Sequence, residues 1–190
     1  MKTDIILAGV GGQGILSIAT VIGQAALKED LYIKQAEVHG MSQRGGDVQS
    51  NLRLSDKPIN SDLIALGQAD IIIAMEPMEA LRYRHYLSPE GWIITTSNAF
   101  VNIGNYPDQQ AVLAELREMK NVIMFDGEKL AQENGVSRSV NMILLGAASK
   151  ALGSISFEKL QDSVRTIFGR KGEKVVEDNL KALDLGRQCE

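Results

Sequence analysis

The chain has 190 residues, 44% hydrophobic and 23% charged, with a formal net charge of −4. That balance belongs to a soluble globular protein with one sizeable core, and it excludes a polyanion-binding surface, so nucleic acid is not expected as a partner. No apolar run is long enough to span a membrane, and the opening MKTDIILAG leads into glycines rather than into a cleavable apolar segment, so the reading is a cytoplasmic protein with no membrane contact.

Residues 4–8, DIILA, form a short apolar run closed by glycine, which reads as a buried strand. Beyond the glycines, Ile15, Ile18, Ala19, Ile22, Ala25 and Ala26 recur at helical spacing, and Lys28, Glu29 and Asp30 mark the exit. YIKQAEV (32–38) reads as a second strand that completes a βαβ unit. A polar, glycine-rich loop follows. Then Val48, Ser50, Leu52 and Leu54 alternate with Gln49, Asn51 and Arg53, the period-two pattern of a half-exposed edge strand. ADIIIAM (69–75) is a buried strand, PMEALRYRHYL (77–87) a helix with proline in its first turn, and WIITTS (92–97) a strand. A loop, VNIGNYPD, precedes a helix at 108–119 on Val112, Leu116 and Met119 and a strand, NVIMFD, at 121–126.

After residue 127 the pattern is helical, with helices expected at 127–134, 139–152, 157–168 and 173–184. The helix at 139–152 is apolar nearly all round, which fits deep core or a face covered by another chain; core packing is the simpler reading. The whole chain, 1–190, reads as a single α/β domain. Its expected architecture is three-layer α/β/α, with a mostly parallel, Rossmann-like sheet, an extra edge strand and a helical C-terminal part.

Gly9, Gly11 and Gly14 have the G-x-G-x-x-G spacing, and they lie between a strand and a helix, where main chain can approach a phosphate closely. Glu37, at the end of the second strand, stands where a ribose-binding acid is expected. A nicotinamide or flavin nucleotide is therefore the first hypothesis, and a glycine turn serving only tight packing is the second. Gly12 and the bulky amide of Gln13 depart from the small residues usual in that fingerprint, and no second domain is present to carry a hydride acceptor.

A second polar loop, HGMSQRGGDVQS, sets His39, Ser42, Gln43 and Arg44 among Gly40, Gly45 and Gly46. Arg44 offers a forked donor for phosphate or carboxylate, although a solvated loop explains the same polarity. His85, the other histidine, sits in the charged stretch LRYRHYL, so no metal site is assigned. No serine nucleophile elbow and no P-loop lysine occur, and no catalytic residue is assigned. Met41, Met75 and Met78 read as packing residues. The single cysteine, Cys189, permits no disulfide within the chain and cannot hold an iron–sulfur cluster, which usually takes several thiolates.

GVGGQGILS together with EVHGMSQRGGDVQSNLRLS resembles the gamma-type subunit or domain of the 2-oxoacid:ferredoxin oxidoreductases, and within it the indolepyruvate branch. The likeness continues through SDLIALGQADIIIAMEPMEALRY and RSVNMILLGA. It implies a hetero-oligomer in which a large partner subunit holds thiamine diphosphate, Mg and 4Fe-4S clusters. A 2-oxoacid, for this branch an aryl pyruvate, adds to thiamine and loses carbon dioxide; electrons pass to ferredoxin and the acyl group leaves on coenzyme A.

This chain lacks the cysteines and any GDG motif, so the resemblance implies that it holds no cofactor alone and is inactive alone. The turn of Gly9, Gly11, Gly12, Gln13 and Gly14 and the loop of His39, Ser42, Gln43, Arg44, Gly45 and Gly46 are then expected to form one surface. That surface would face the partner near the thiamine and coenzyme A site. The alternative, from another class, is a free-standing Rossmann-like dinucleotide-binding oxidoreductase or regulatory domain.

Overall fold

In a computed structural model, which describes residues 1–39 and 45–189, the first apolar run becomes the central strand β1 (Lys2–Val10), buried from Thr3 onward. A strand covered on both faces needs apolar side chains in both directions, which is why DIILA shows no alternation. Ile5 and Leu7 enter one core with α1 (Ile15–Leu27), α5 (Val140–Ala148), α6 (Phe157–Phe168) and α7 (Glu173–Arg187). Ile6 and Ala8 enter a second, smaller core on the opposite face, whose helical residues come from α2 (Pro77–Arg82) and α3 (Gln109–Glu118). α4 (Gly127–Glu133) joins the larger core through Ala131. The result is the expected three-layer α/β/α arrangement, thick on one face and thin on the other.

The sheet runs in the order β2–β3–β1–β4–β5–β6, with β2 at Tyr32–His39, β3 at Asp47–Ser55, β4 at Ala69–Ala74, β5 at Leu87–Thr96 and β6 at Val122–Phe125. The pairs β1–β4, β4–β5 and β5–β6 are parallel. β3 lies antiparallel between β1 and β2, from Lys2↔Ser55 to Val10↔Asp47 on one side and Tyr32↔Ser55 to His39↔Val48 on the other.

Two expectations are corrected here. Residues 47–55 are an inner strand, not an edge strand, and β1 and β2 are not neighbours in a simple βαβ unit. The alternation in β3 is real, but its polar side is covered. Asn51, 2% exposed, accepts from the Ile64 amide at 3.1 Å. Arg53 clasps the buried Asp4 carboxylate through two nitrogens at 2.8 and 3.0 Å and donates to the carbonyls of Ser61 and Leu63. The 56–68 connection thus roofs what the sequence alone presents as a solvent face.

Helix α5 is core, as its all-round apolarity suggests: Met142 to Ala148 are buried. No helix among the described residues is long and apolar enough to cross a membrane.

Candidate functional site

The parallel strands all deliver their carboxyl ends to one edge, where β1 gives way to the glycine turn. From this edge β1 leads into α1 on one face of the sheet and its parallel neighbour β4 leads into α2 on the other, so the turn stands at the switch point at which α/β sheets open a crevice. Gly12 has φ +103° and Gly14, the first cap of α1, has φ +82°, conformations that only glycine enters without strain. At Gly9 the limit is space, because an added Cβ would stand 2.9 Å from Gln13 Oε1 and 3.0 Å from Ile15 Cδ1. The Gln13 side chain does not reach outward: its Oε1 accepts from the Val10 amide at 2.7 Å and locks the turn upon itself.

The second glycine segment meets the first. The Gly11 amide donates to the Gly46 carbonyl at 2.8 Å and the Gly45 amide to the Gly11 carbonyl at 3.4 Å. Antiparallel pairing of β3 with β1 makes this unavoidable, since the start of β3 must lie beside the end of β1. Gly9, Gly11, Gly12, Gln13, Gly14, Gly45 and Gly46 are therefore brought together, and the backbone of His39 ends β2 in the same register. Ser42, Gln43 and Arg44, with Gly40 and Met41, lie outside the described residues.

Two clefts flank the joined turns. The first, about 240 Å³, is bounded by Gly12, Gln13, Gly14, Met75, Ser137, Arg138, Val140 and Asn141. It opens at the N-termini of α1 and α5, and neither helix is capped there by its own N-cap side chain. Those helix ends present backbone N–H groups and partial positive charge, and Arg138 adds a full one. Asn141 Nδ2 donates to the Gly14 carbonyl at 3.2 Å and fixes α5 against the turn.

The second cleft, about 500 Å³, runs from Gly45 and Gly46 past Asp47, Glu76, Glu79 and Arg82 to Phe100, Ile103 and Tyr106. Glu76 is 1% exposed; its Oε2 caps α2 by accepting from the Glu79 amide at 2.9 Å, and its Oε1 accepts from Phe100 N and the Tyr106 hydroxyl. Burial, followed by the hydrogen bond to Glu76, holds the Tyr106 phenol above its ordinary range. Burial likewise raises the Glu79 carboxyl above its usual 4.5 against the opposing pull of Arg82, which donates to it at 3.0 Å.

Sequence reading missed Asn141, Arg138 and the Glu76–Glu79 pair. Pro77 with Glu79 two residues on signals a helix start, but glutamate is not a usual capping residue, so the role of Glu76 itself was not legible. His85 is exposed, as its charged surroundings suggest, while Met75 is buried and Met78 packs against the smaller core. Among the described residues no group of three or more His, Cys, Asp or Glu is placed to hold a metal ion. Glu37 lies across β3 from β1, two strand spacings or about 10 Å away, and so does not stand where a ribose-binding acid beside the turn would.

An α/β sheet with a glycine turn at its switch point, bonded to a second glycine turn from an inserted antiparallel strand, defines the class; the chain belongs to the pyruvate ferredoxin/flavodoxin oxidoreductase family, whose model matches residues 4–189. Within it, the chain is 36% identical over 192 residues to the indolepyruvate oxidoreductase subunit IorB of Pyrococcus horikoshii, covering 96% of this chain and 93% of that one. It is 27% identical to the 2-oxoglutarate synthase subunit KorC of Methanothermobacter marburgensis, over 99% of this chain and 96% of the relative.

The fold is shared with the pyruvate oxidoreductase subunit PORC of Thermotoga maritima, at a TM-score of 0.75 and 18% identity over 99% and 96% of the two chains. It is shared also with part of the 2-oxoglutarate:ferredoxin oxidoreductase of Magnetococcus marinus, solved with 2-oxoglutarate, coenzyme A and succinyl-CoA bound. There the TM-score is 0.74 at 24% identity, over 98% of this chain but 30% of that much longer one. The family expected from the paired motifs is the family found, and its named members here are subunits or parts of 2-oxoacid oxidoreductases.

Proposed function

We propose that this chain is the small subunit of a 2-oxoacid:ferredoxin oxidoreductase acting on an aryl pyruvate such as indolepyruvate. In this reading it carries no catalytic residue and completes a site that belongs mainly to a larger partner. The partner holds thiamine diphosphate with Mg and the 4Fe-4S clusters, and the complex passes electrons to ferredoxin and the acyl group to coenzyme A. Thiamine diphosphate supplies the carbanion chemistry that releases carbon dioxide.

The observation that carries the reading is the Gly11–Gly46 hydrogen bond, which makes two bare-backbone turns into one surface at the carboxyl edge of the sheet. Side chains on either turn would hold a neighbouring chain or ligand away. The cleft beside Gly12 and Gly14 suits phosphate oxygens of coenzyme A: main-chain donors at two helix ends and the Arg138 guanidinium are the groups such oxygens take. Gly45, Gly46 and the neighbouring Ser42, Gln43 and Arg44 belong to the same proposed surface. The dinucleotide alternative is disfavoured by Glu37, which β3 separates from the turn.

Co-expression with the thiamine-binding subunit of the same organism, followed by an assay with indolepyruvate, coenzyme A and a viologen acceptor, tests the proposal. Activity should need both chains. Gly12→Val forces a β-branched residue to φ +103°, which costs about 1–3 kcal/mol locally. It should abolish most turnover while the subunit keeps its circular dichroism spectrum. Wild-type turnover in Gly12→Val, or tight binding of a dinucleotide by the isolated chain, would overturn the reading.

A further inference from the structure

The connection between β5 and α3 displays three large apolar side chains: Phe100, 46% exposed, Val101, 56%, and Ile103, 47%. They are held outward by polar anchors on the loop's other side. Phe100 N donates to Glu76 Oε1 at 3.3 Å, the Tyr106 hydroxyl donates to the same oxygen, and Asn102 Nδ2 donates to the Gly45 carbonyl. The loop is thus tied at one point to the end of β4 and at another to the second glycine turn. A fold that needed those apolar groups only for its own core would turn them inward, and contiguous exposed apolar groups mark interaction sites.

The cleft beside the loop has a definite sign of charge. Among the described residues its wall carries the carboxylates of Asp47, Glu76 and Glu79 against the single guanidinium of Arg82. Glu79, 5% exposed, already uses Arg82, and Asp47, which is exposed, accepts a neutral phenol, from Tyr83 at 3.2 Å. Among the described residues the cleft is left with more negative than positive charge, costly to cover unless the covering group is positive. The Gly12–Arg138 cleft on the other side of the turn has the opposite polarity, so a phosphate-bearing molecule is drawn there and repelled here.

From this juxtaposition we infer that the loop at 98–107 and the acidic cleft beside it dock the large subunit, receiving a segment that sets an apolar side chain next to an arginine or lysine. The apolar residue covers Phe100, Val101 and Ile103, and the basic one reaches Asp47. This rests on the reading of the chain as the small subunit of a two-subunit oxidoreductase.

The test measures association of purified chain with the thiamine-binding subunit of the same organism. Phe100→Ser, Val101→Ser and Ile103→Ser are combined in one variant, and Asp47→Lys makes a second; all four side chains are exposed, so unchanged thermal unfolding confirms that each variant folds. Both variants should bind at least about tenfold more weakly, and wild-type affinity should fall as salt rises from about 50 to 500 mM. The triple variant binding like wild type would overturn the docking role and leave the subunit reading standing. Asp47→Lys binding like wild type, or affinity indifferent to salt, would overturn the basic contact. Failure of the wild-type chain to associate would overturn the subunit reading, and the inference with it.

Discussion

Replacing Gly146 by alanine should destabilise the protein even though alanine is the better helix former. α5 and α7 cross with Gly146 and Gly186 at the contact. A Cβ on Gly146 would overlap the Leu183 carbonyl oxygen, and one on Gly186 would overlap the Ile143 carbonyl oxygen. The obstacle in each case is backbone of the facing helix, so no side chain can swing aside and the helices must move apart. Helix propensity favours alanine by about 1 kcal/mol, while overpacking a tight core costs about 1–3 kcal/mol, and a main-chain clash belongs at the upper end. The net is a loss of about 2 kcal/mol per site. For a domain of this length that lowers the melting temperature by roughly 4–8 °C.

Gly23 supplies the control. It lies inside α1, and a Cβ there meets nothing within 4 Å. Gly23→Ala should therefore gain up to about 1 kcal/mol and raise the melting temperature by roughly 2–4 °C. Differential scanning calorimetry of the three variants decides the matter. A melting temperature for Gly146→Ala or Gly186→Ala at or above wild type would refute the close crossing.

Other perturbations reach different links. Arg53→Met strips the fully buried Asp4 carboxylate of its two-pronged partner, leaving it paired with the half-exposed Lys2, and should cost about 3 kcal/mol by urea unfolding. Asn141→Ala removes the bond to the Gly14 carbonyl; it should lower stability by only about 1 kcal/mol yet reduce turnover of the co-expressed complex more than that loss explains. Glu79, raised above 4.5 chiefly by burial, ionises in the unfolded chain first as pH rises. Its ionisation thus works against the fold: its contribution is fully present below about pH 4.5 and is lost as pH climbs through the raised folded value. Glu79→Gln should flatten the fall of the urea midpoint over that range, and equal slopes in the two proteins would contradict the burial argument.

What the sequence made legible was governed by local rules. The strand, glycine turn and helix over residues 4–27 could be read because a closed apolar run, a glycine cluster and helical periodicity each speak for themselves within a few residues. The helices at 157–168 and 173–184 announced themselves by spacing in the same way, the second running on to Arg187. β3 misled because alternation reports only which side is polar, not what covers it; the roof over Asn51 and Arg53 comes from residues 61–64, after the strand has ended. The start of β5 was hidden by Pro89 and Gly91, which read as turn residues but fall where β4 and β5 shift register between Ala69 and Ile71. The two glycine segments were recognisable singly, whereas their mutual hydrogen bond depends on β3 returning antiparallel beside β1. Asn141 could not be tied to Gly14 from spacing, since 127 residues separate them.

The most direct measurement is hydrogen–deuterium exchange of the chain alone and bound to the thiamine-binding subunit. Peptides covering residues 9–14, 45–47 and 98–107 should become strongly protected on assembly, while the opposite edge of the sheet, at Lys2 and residues 58–61, should exchange as before. Protection confined to that opposite edge, with the joined glycine turns unchanged, would contradict the claim that they help to build the partner's active centre.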